Sequence, residues 1–138
     1  MTATTDASQA GKAETDVISL TIPAELRFVR LARIAVASLA RRKGMTVRTI
    51  DDLRMVTDES FALLLQDRDH AGSIDVTFEV DNHELVVVIV QRLADGPLPV
   101  STEDLTQFEV VTGDLVDRAE ANPTAGVVQF SKRFAPRS

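Results

Sequence analysis

Residues 74–90 decide the fold, and they read IDVTFEVDNHELVVVIV. Apolar and polar side chains alternate through residues 74–80, which is typical of an antiparallel strand with one buried and one solvated face. Residues 81–84, DNHE, indicate a turn. The unbroken apolar run at 85–90 predicts a strand at the centre of a sheet. The segment therefore predicts a β-hairpin around which the remaining elements are placed.

On the N-terminal side of this hairpin, the period changes to that of a helix. Apolar residues recur at helical spacing over residues 25–42 and again over 49–65. Alternation in Val17–Ile22 predicts a first strand, Pro23 is expected where the first helix starts, and Thr49 is expected to cap the second. The predicted buried stripes are Leu26, Val29, Ala32 (or Arg33), Val36 and Leu39 in the first helix, and Ile50, Leu53, Val56, Thr57, Ser60 and Leu64 in the second.

On the C-terminal side, residues 95–99, DGPLP, predict a loop. A third and weaker helix is predicted over 104–118, and a final strand over 126–132. The order β-α-α-β-β-α-β predicts an α+β fold, a two-layer sandwich with helices on one face of a mostly antiparallel sheet. Residues 1–16 are expected to be a disordered tail, and 17–135 a single domain.

Composition excludes several classes of protein. The chain of 138 residues has no cysteine, which excludes disulfides and cysteine-ligated metals. No apolar run approaches the roughly 20 residues of a membrane span, so a cytoplasmic protein without membrane contact is expected. His70 and His83 lie in predicted turns and are expected to be solvated, so no metal site is predicted.

Charge is distributed unevenly along the chain. Residues 27–48 carry seven basic side chains and no acid, whereas residues 49–120 carry 17 acids and four arginines. An acidic body would repel duplex phosphates, so nucleic acid is not an expected partner. The basic helix either faces an acidic protein or is a solvated helix face.

The stretch Ile50–Glu59, IDDLRMVTDE, resembles the one that opens the nucleotide-binding motif in bacterial anti-sigma factors of the serine-protein kinase type. These proteins have the Bergerat (histidine kinase-like) ATPase fold, as do gyrase and histidine kinases. The resemblance covers residues 17–133 and includes the order of the elements. It implies a switch that sequesters a sigma factor, and that phosphorylates a serine of an anti-sigma-factor antagonist with Mg-ATP.

The residues that would bind the nucleotide depart from the family's motifs. Glu59 matches the glutamate that acts near the γ-phosphate, and the resemblance makes it the catalytic candidate. Leu63 stands where the family has a magnesium-holding asparagine, and an aliphatic side chain cannot ligate a hard cation. Asp95-Gly96 is displaced from the adenine-binding motif, and Gly126 keeps the glycine of a closing Gly-Thr pair without the threonine. The other interpretations are a surface carboxylate for Glu59 and a plain turn for Asp95-Gly96.

Three functions follow in order of expectation. The first is a stress-response regulator that binds a sigma factor or an antagonist, with Arg27, Arg30 and Arg33 as contacts, no cofactor and a degenerate ATP pocket. The second is an active serine-protein kinase using Mg-ATP. The third is an unrelated α+β ligand-binding or assembly domain. A homodimer is permitted by the sequence.

Overall fold

The computed structural model describes residues 15–136, so almost all of the predicted N-terminal tail lies outside the described residues. Five strands and three α-helices are present in this part of the chain, together with a short 3₁₀ helix at Leu26–Phe28. Their bounds are β1 Asp16–Pro23, α1 Val29–Arg42, α2 Val47–Leu65, β2 Gly72–Val80, β3 Glu84–Leu93, α3 Thr102–Gly113, β4 Arg118–Asn122 and β5 Val127–Arg133.

The five strands form one antiparallel sheet in the order β1-β2-β3-β5-β4. The β2–β3 hairpin pairs Phe78 with Val87, and its turn is closed by Asp81 Oδ1, which accepts from the His83 and Glu84 amides at 2.7 and 2.8 Å. The hydrogen bonds from these two backbone amides hold the pKa of Asp81 below its ordinary value. The predicted hairpin and its central strand are confirmed.

One face of the sheet supplies the core. Every second residue of the hairpin is buried on that face, and the helices bury their own stripes in the same cluster. Helices α1 and α2 pack against each other, and α3 packs against α2 and β4. The α+β class with one antiparallel sheet is therefore confirmed. The hairpin's contribution to the core is Ile74, Val76, Phe78, Val80, Leu85, Val87 and Ile89.

Four local predictions are wrong. Pro23 ends β1 instead of starting a helix, and a 3₁₀ turn separates it from α1. As a result, Leu26 is 42% exposed instead of lying in the core. The cap of α2 is Thr46, whose Oγ1 accepts from the Thr49 amide at 3.1 Å. The third helix ends at Gly113, and residues 118–122 form the unpredicted strand β4.

The solvated face of the sheet carries a polar cluster that joins three strands. Asp75 on β2 accepts from Thr21 Oγ1 of β1 at 2.7 Å and from Arg92 Nε of β3. The hydrogen bond from Arg92, followed by that from Thr21, lowers the pKa of Asp75. A charge-assisted hydrogen bond favours the ionised carboxylate. This cluster therefore stabilises the sheet mainly at pH values at which Asp75 is ionised.

Replacing Thr46 with alanine is expected to lower the free energy of unfolding by about 1 kcal/mol, because the helix loses its N-cap acceptor. Thr49→Ala is the matched control and is expected to have a smaller effect, since the capping oxygen remains. Urea unfolding followed by circular dichroism measures both. A larger loss for Thr49→Ala would show that the cap is misassigned.

Arg92→Gln is expected to raise the pKa of Asp75 towards its ordinary value, measured by NMR titration of the carboxyl carbon. Because the folded-state pKa is depressed, the stabilisation is present above the unfolded pKa of about 3.9 and is lost as the pH falls through the folded value. The wild type should therefore lose more stability than Arg92→Gln on acidification below about pH 5. Arg118→Gln, on the edge strand β4, should leave the Asp75 titration unchanged.

Candidate functional site

Glu59 and Leu63 line one hollow. They lie one helical turn apart on α2, so their side chains share a face. The hollow has a volume of about 180 Å³ and lies between α2 and α3. Its α3 wall is formed by Asp104, Gln107 and Phe108. Helix α3 therefore forms the wall of this hollow opposite α2.

The buried stripe of α2 determines where Glu59 points. All six residues of the predicted stripe are buried. Two of them are polar, and each donates to its own helix: Thr57 Oγ1 to Leu53 O at 2.8 Å, and Ser60 Oγ to Val56 O at 2.7 Å. Their hydroxyls are therefore satisfied within the helix. Glu59 lies beside this stripe and is half-buried, at the border between core and solvent.

The C-terminal end of α2 forms the other side of the hollow. Gln66 and Asp67 both have positive φ, 54° and 56°, so the chain leaves the helix through two left-handed residues. Gln66 Nε2 donates to Leu63 O at 2.6 Å. This bond satisfies one of the carbonyls that a helix leaves unpaired at its end. The exit from α2 is thus held by side chains at the edge of the hollow.

The Leu63 side of the hollow offers no ligand to a magnesium ion. Leu63 is 5% exposed and belongs to the hydrophobic core. It offers no oxygen to a cation that prefers near-octahedral oxygen ligands. Among residues 15–136, no group of three or more histidine, aspartate or glutamate side chains is arranged to hold a metal ion. The carboxylates that line the hollow are those of Glu59, Asp67 and Asp104.

The other predicted pocket residues lie elsewhere. Asp95, Gly96 and Gly126 are not among the residues that line the hollow. Gly96 has φ +82° and donates its amide to Leu93 O at 3.0 Å, the geometry of a tight turn. Gly126, with φ +69°, lies against the side chain of Gln91. The structure therefore brings Glu59 and Leu63 together in one hollow, which neither Gly96 nor Gly126 lines.

Gln91 is a residue that the sequence analysis missed. It occupies an inward-facing position of β3, following Leu85, Val87 and Ile89 at intervals of two, and is 6% exposed. A polar residue at the end of a buried row is a signal that strand periodicity could have revealed. Its carboxamide is hydrogen-bonded on both sides, to Leu64 O and from the Leu98 amide.

The three arginines assigned to partner contact have different surroundings. Arg33 pairs with Asp58 of α2 at 2.8 Å, and Arg27 pairs with Glu25 at 3.0 Å and lies 4.8 Å from the Phe28 ring centroid. Arg30 is exposed on the outward face of α1. Two apolar residues of the same helix, Leu31 and Ile34, are 41% and 55% exposed. The core stripe and the charges of this helix do not by themselves indicate that Leu31 and Ile34 are exposed.

Comparison with known proteins gives related sequences but no match to any family model. The serine-protein kinase RsbW of Halalkalibacterium halodurans is 23% identical over 138 residues, covering 88% of this chain and 85% of the relative. The protein of the same name from Bacillus velezensis is 29% identical over 80 residues, 56% of this chain and 50% of the relative. That from Oceanobacillus iheyensis is 24% identical over 80 residues, covering 56% and 51%. The predicted resemblance to the serine-protein kinase type of anti-sigma factor is confirmed.

Within residues 15–136, no helix is long and apolar enough to cross a bilayer. His70 Nε2 lies 2.8 Å from Leu65 O, and its backbone amide donates to Ala24 O at 2.9 Å. These contacts give His70 a structural role at the end of α2.

Leu63→Ala is expected to lower the free energy of unfolding by about 2–4 kcal/mol, because it leaves a cavity in the core. Glu59→Gln should change it by no more than about 0.5 kcal/mol, since Glu59 lies at the border of the core. Urea denaturation measures both. A large loss for Glu59→Gln would assign Glu59 a structural role instead of a role in the site.

Proposed function

We propose that this chain, a relative of the RsbW serine-protein kinases, is a regulator that binds a sigma factor or an anti-sigma-factor antagonist. We propose further that it does not hydrolyse ATP or transfer its phosphate. The setting we propose is a stress response in the cytoplasm, with a homodimer as the assembled form. The observation that carries the proposal is the outward face of α1, where Arg30 lies beside exposed Leu31 and Ile34.

This α1 face has the composition of a protein interface. Arginine and large apolar side chains are enriched where proteins bind one another. Exposed apolar residues bury surface against a partner, and a neighbouring charge fixes the partner's orientation. Ile34 lies one helical turn beyond Arg30, so the two share a face with Leu31 beside them. Arg33 is held by Asp58 on α2 and serves to join the two helices. We therefore assign the partner contact to Arg30, Leu31 and Ile34, with Arg27 at its edge.

Charge distribution supports an acidic partner. The chain carries a formal net charge of −6, yet α1 contains no acidic side chain. An acidic partner would be repelled by the rest of the surface and attracted to α1, which speeds association and fixes orientation. A segment with carboxylates beside leucine or isoleucine side chains would match both parts of the α1 face.

The second candidate is an active serine-protein kinase. Two observations favour it: Glu59 borders the hollow, and the relatives are named serine-protein kinases. Phosphoryl transfer, however, depends on metal and phosphate positioning. Leu63 lies in the core where the family's motif has its magnesium-holding asparagine. Residues 101–112, where the resemblance expects a glycine-rich lid, contain no glycine.

Reversing the charge in Arg30→Glu, or placing a charge in Ile34→Asp, is expected to weaken partner binding at least tenfold by isothermal titration. The partners to titrate are recombinant sigma factors and antagonists from the same genome. Arg118→Glu, an exposed arginine on β4, is the matched control and should bind within about twofold of the wild type. Equal weakening by the control would show that overall charge, and not the α1 face, drives binding.

Titration of the wild type with Mg-ATP is expected to give no binding at micromolar concentrations. The physical reason is the absence of a hard-cation ligand at Leu63. Incubation with labelled ATP and a recombinant antagonist should leave the antagonist's serines unmodified. A micromolar dissociation constant, or transfer of phosphate that is lost in Glu59→Gln, would replace this proposal with the kinase.

A further inference from the structure

The C-terminal end of α2 leaves carbonyl groups that need donors from outside the helix, as every helix end does. Gln66 provides two of these donors: its amide donates to Ala62 O at 2.9 Å, and its side chain donates to Leu63 O. The carbonyl of Leu64 is different, because its donor comes from the sheet. Gln91 Nε2 of β3 donates to it at 2.7 Å across 27 positions of sequence.

The same carboxamide is held on its other side by the loop that follows β3. The Leu98 amide donates to Gln91 Oε1 at 3.2 Å. A single planar group thus joins the end of α2 to the loop at residues 94–101. A primary carboxamide carries a donor and an acceptor side by side, and here each has one protein partner.

Gly126 makes room for this side chain. A Cβ atom built on Gly126 would lie 2.5 Å from Gln91 Cγ and 2.8 Å from its Oε1, closer than real side chains approach one another. The two residues are also joined through the backbone, since the Gln91 amide donates to Gly126 O at 2.8 Å. Position 126 therefore requires a glycine for two reasons: its φ is positive, and the Gln91 side chain occupies the space that a Cβ atom would need.

We propose that Gln91 is an internal latch, occupying a niche formed by the Leu64 carbonyl, the Leu98 amide and Gly126 that would otherwise accept a planar ligand with an adjacent donor and acceptor. Simple primary amides such as acetamide have this edge. The chain fills the niche with its own side chain.

The test empties the niche and then offers it a ligand. Gln91→Ala should increase hydrogen exchange of the Leu98 amide at least tenfold while the β2–β3 hairpin amides stay protected. Millimolar acetamide should then raise the Tm of Gln91→Ala and leave the wild type unchanged. Gln91→Leu, which fills the space without hydrogen bonds, should show the faster exchange but no ligand response. Leu98 exchange within twofold of the wild type in both variants, or equal Tm shifts in all three proteins, would overturn the latch.

A second pair of variants guards against a Gln91→Ala protein that fails to fold. Gly126→Ala and Gly96→Ala both place a side chain at positive φ, +69° and +82°, but only Gly126 has neighbours within 4 Å of the new atom. Gly126→Ala should therefore unfold at a lower urea concentration than Gly96→Ala. Equal midpoints would show that Gln91 is not held against Gly126, contradicting the latch.

The outcome also separates the latch from the proposed function. Mg-ATP binding by the wild type would overturn the regulator without turnover, whatever Leu98 does. Unchanged Leu98 exchange would overturn the latch while leaving the α1 face and its partner untouched.

Discussion

Helix α2 has to bury one face against the sheet while carrying the Glu59 carboxylate at the edge of that face. The buried stripe from Ile50 to Leu64 packs in the same core cluster as the β2–β3 hairpin. Rotating the helix to expose Glu59 further would draw Leu63 or Ser60 out of the core, which costs apolar burial. The position of Glu59 is therefore a consequence of core packing, and α3 can close over it only because α2 is fixed.

Much of this arrangement could be predicted because it depends on periodicity. The alternation in residues 74–80 and the helical spacing in 49–65 each predict which face is buried. The structure confirms that the predicted faces are buried. The edge strand β4 could not be predicted from its own residues, RAEAN, which lack β-branched and aromatic side chains. It forms because β5 offers it an edge to pair with, and the short connection at residues 123–126 joins the two strands as a hairpin. Tertiary pairing here overrides local preference.

The candidate site divides in the same way. Glu59 and Leu63 could be placed together because both lie on one helix at a spacing of four. The hollow's second wall on α3 and the role of Gln91 depend on contacts between residues far apart in the chain, for which no local pattern exists. For α1, burial of Val29, Ala32 and Val36 was predicted and is confirmed. The exposure of Leu31 and Ile34 on the same helix was not predicted. Sequence periodicity identifies a core face more readily than a binding face.

At position 63, apolar burial in the core and a ligand for a hard cation exclude each other, because one side chain cannot supply both. A leucine there adds apolar burial to the cluster that fixes α2, whereas an asparagine would have to satisfy its amide in a nearly dry place. Placing an amide there would weaken the core, and residues 101–112 contain no glycine. Stability therefore favours leucine at this position. A surface on α1 carries no such conflict, since Arg30, Leu31 and Ile34 are exposed.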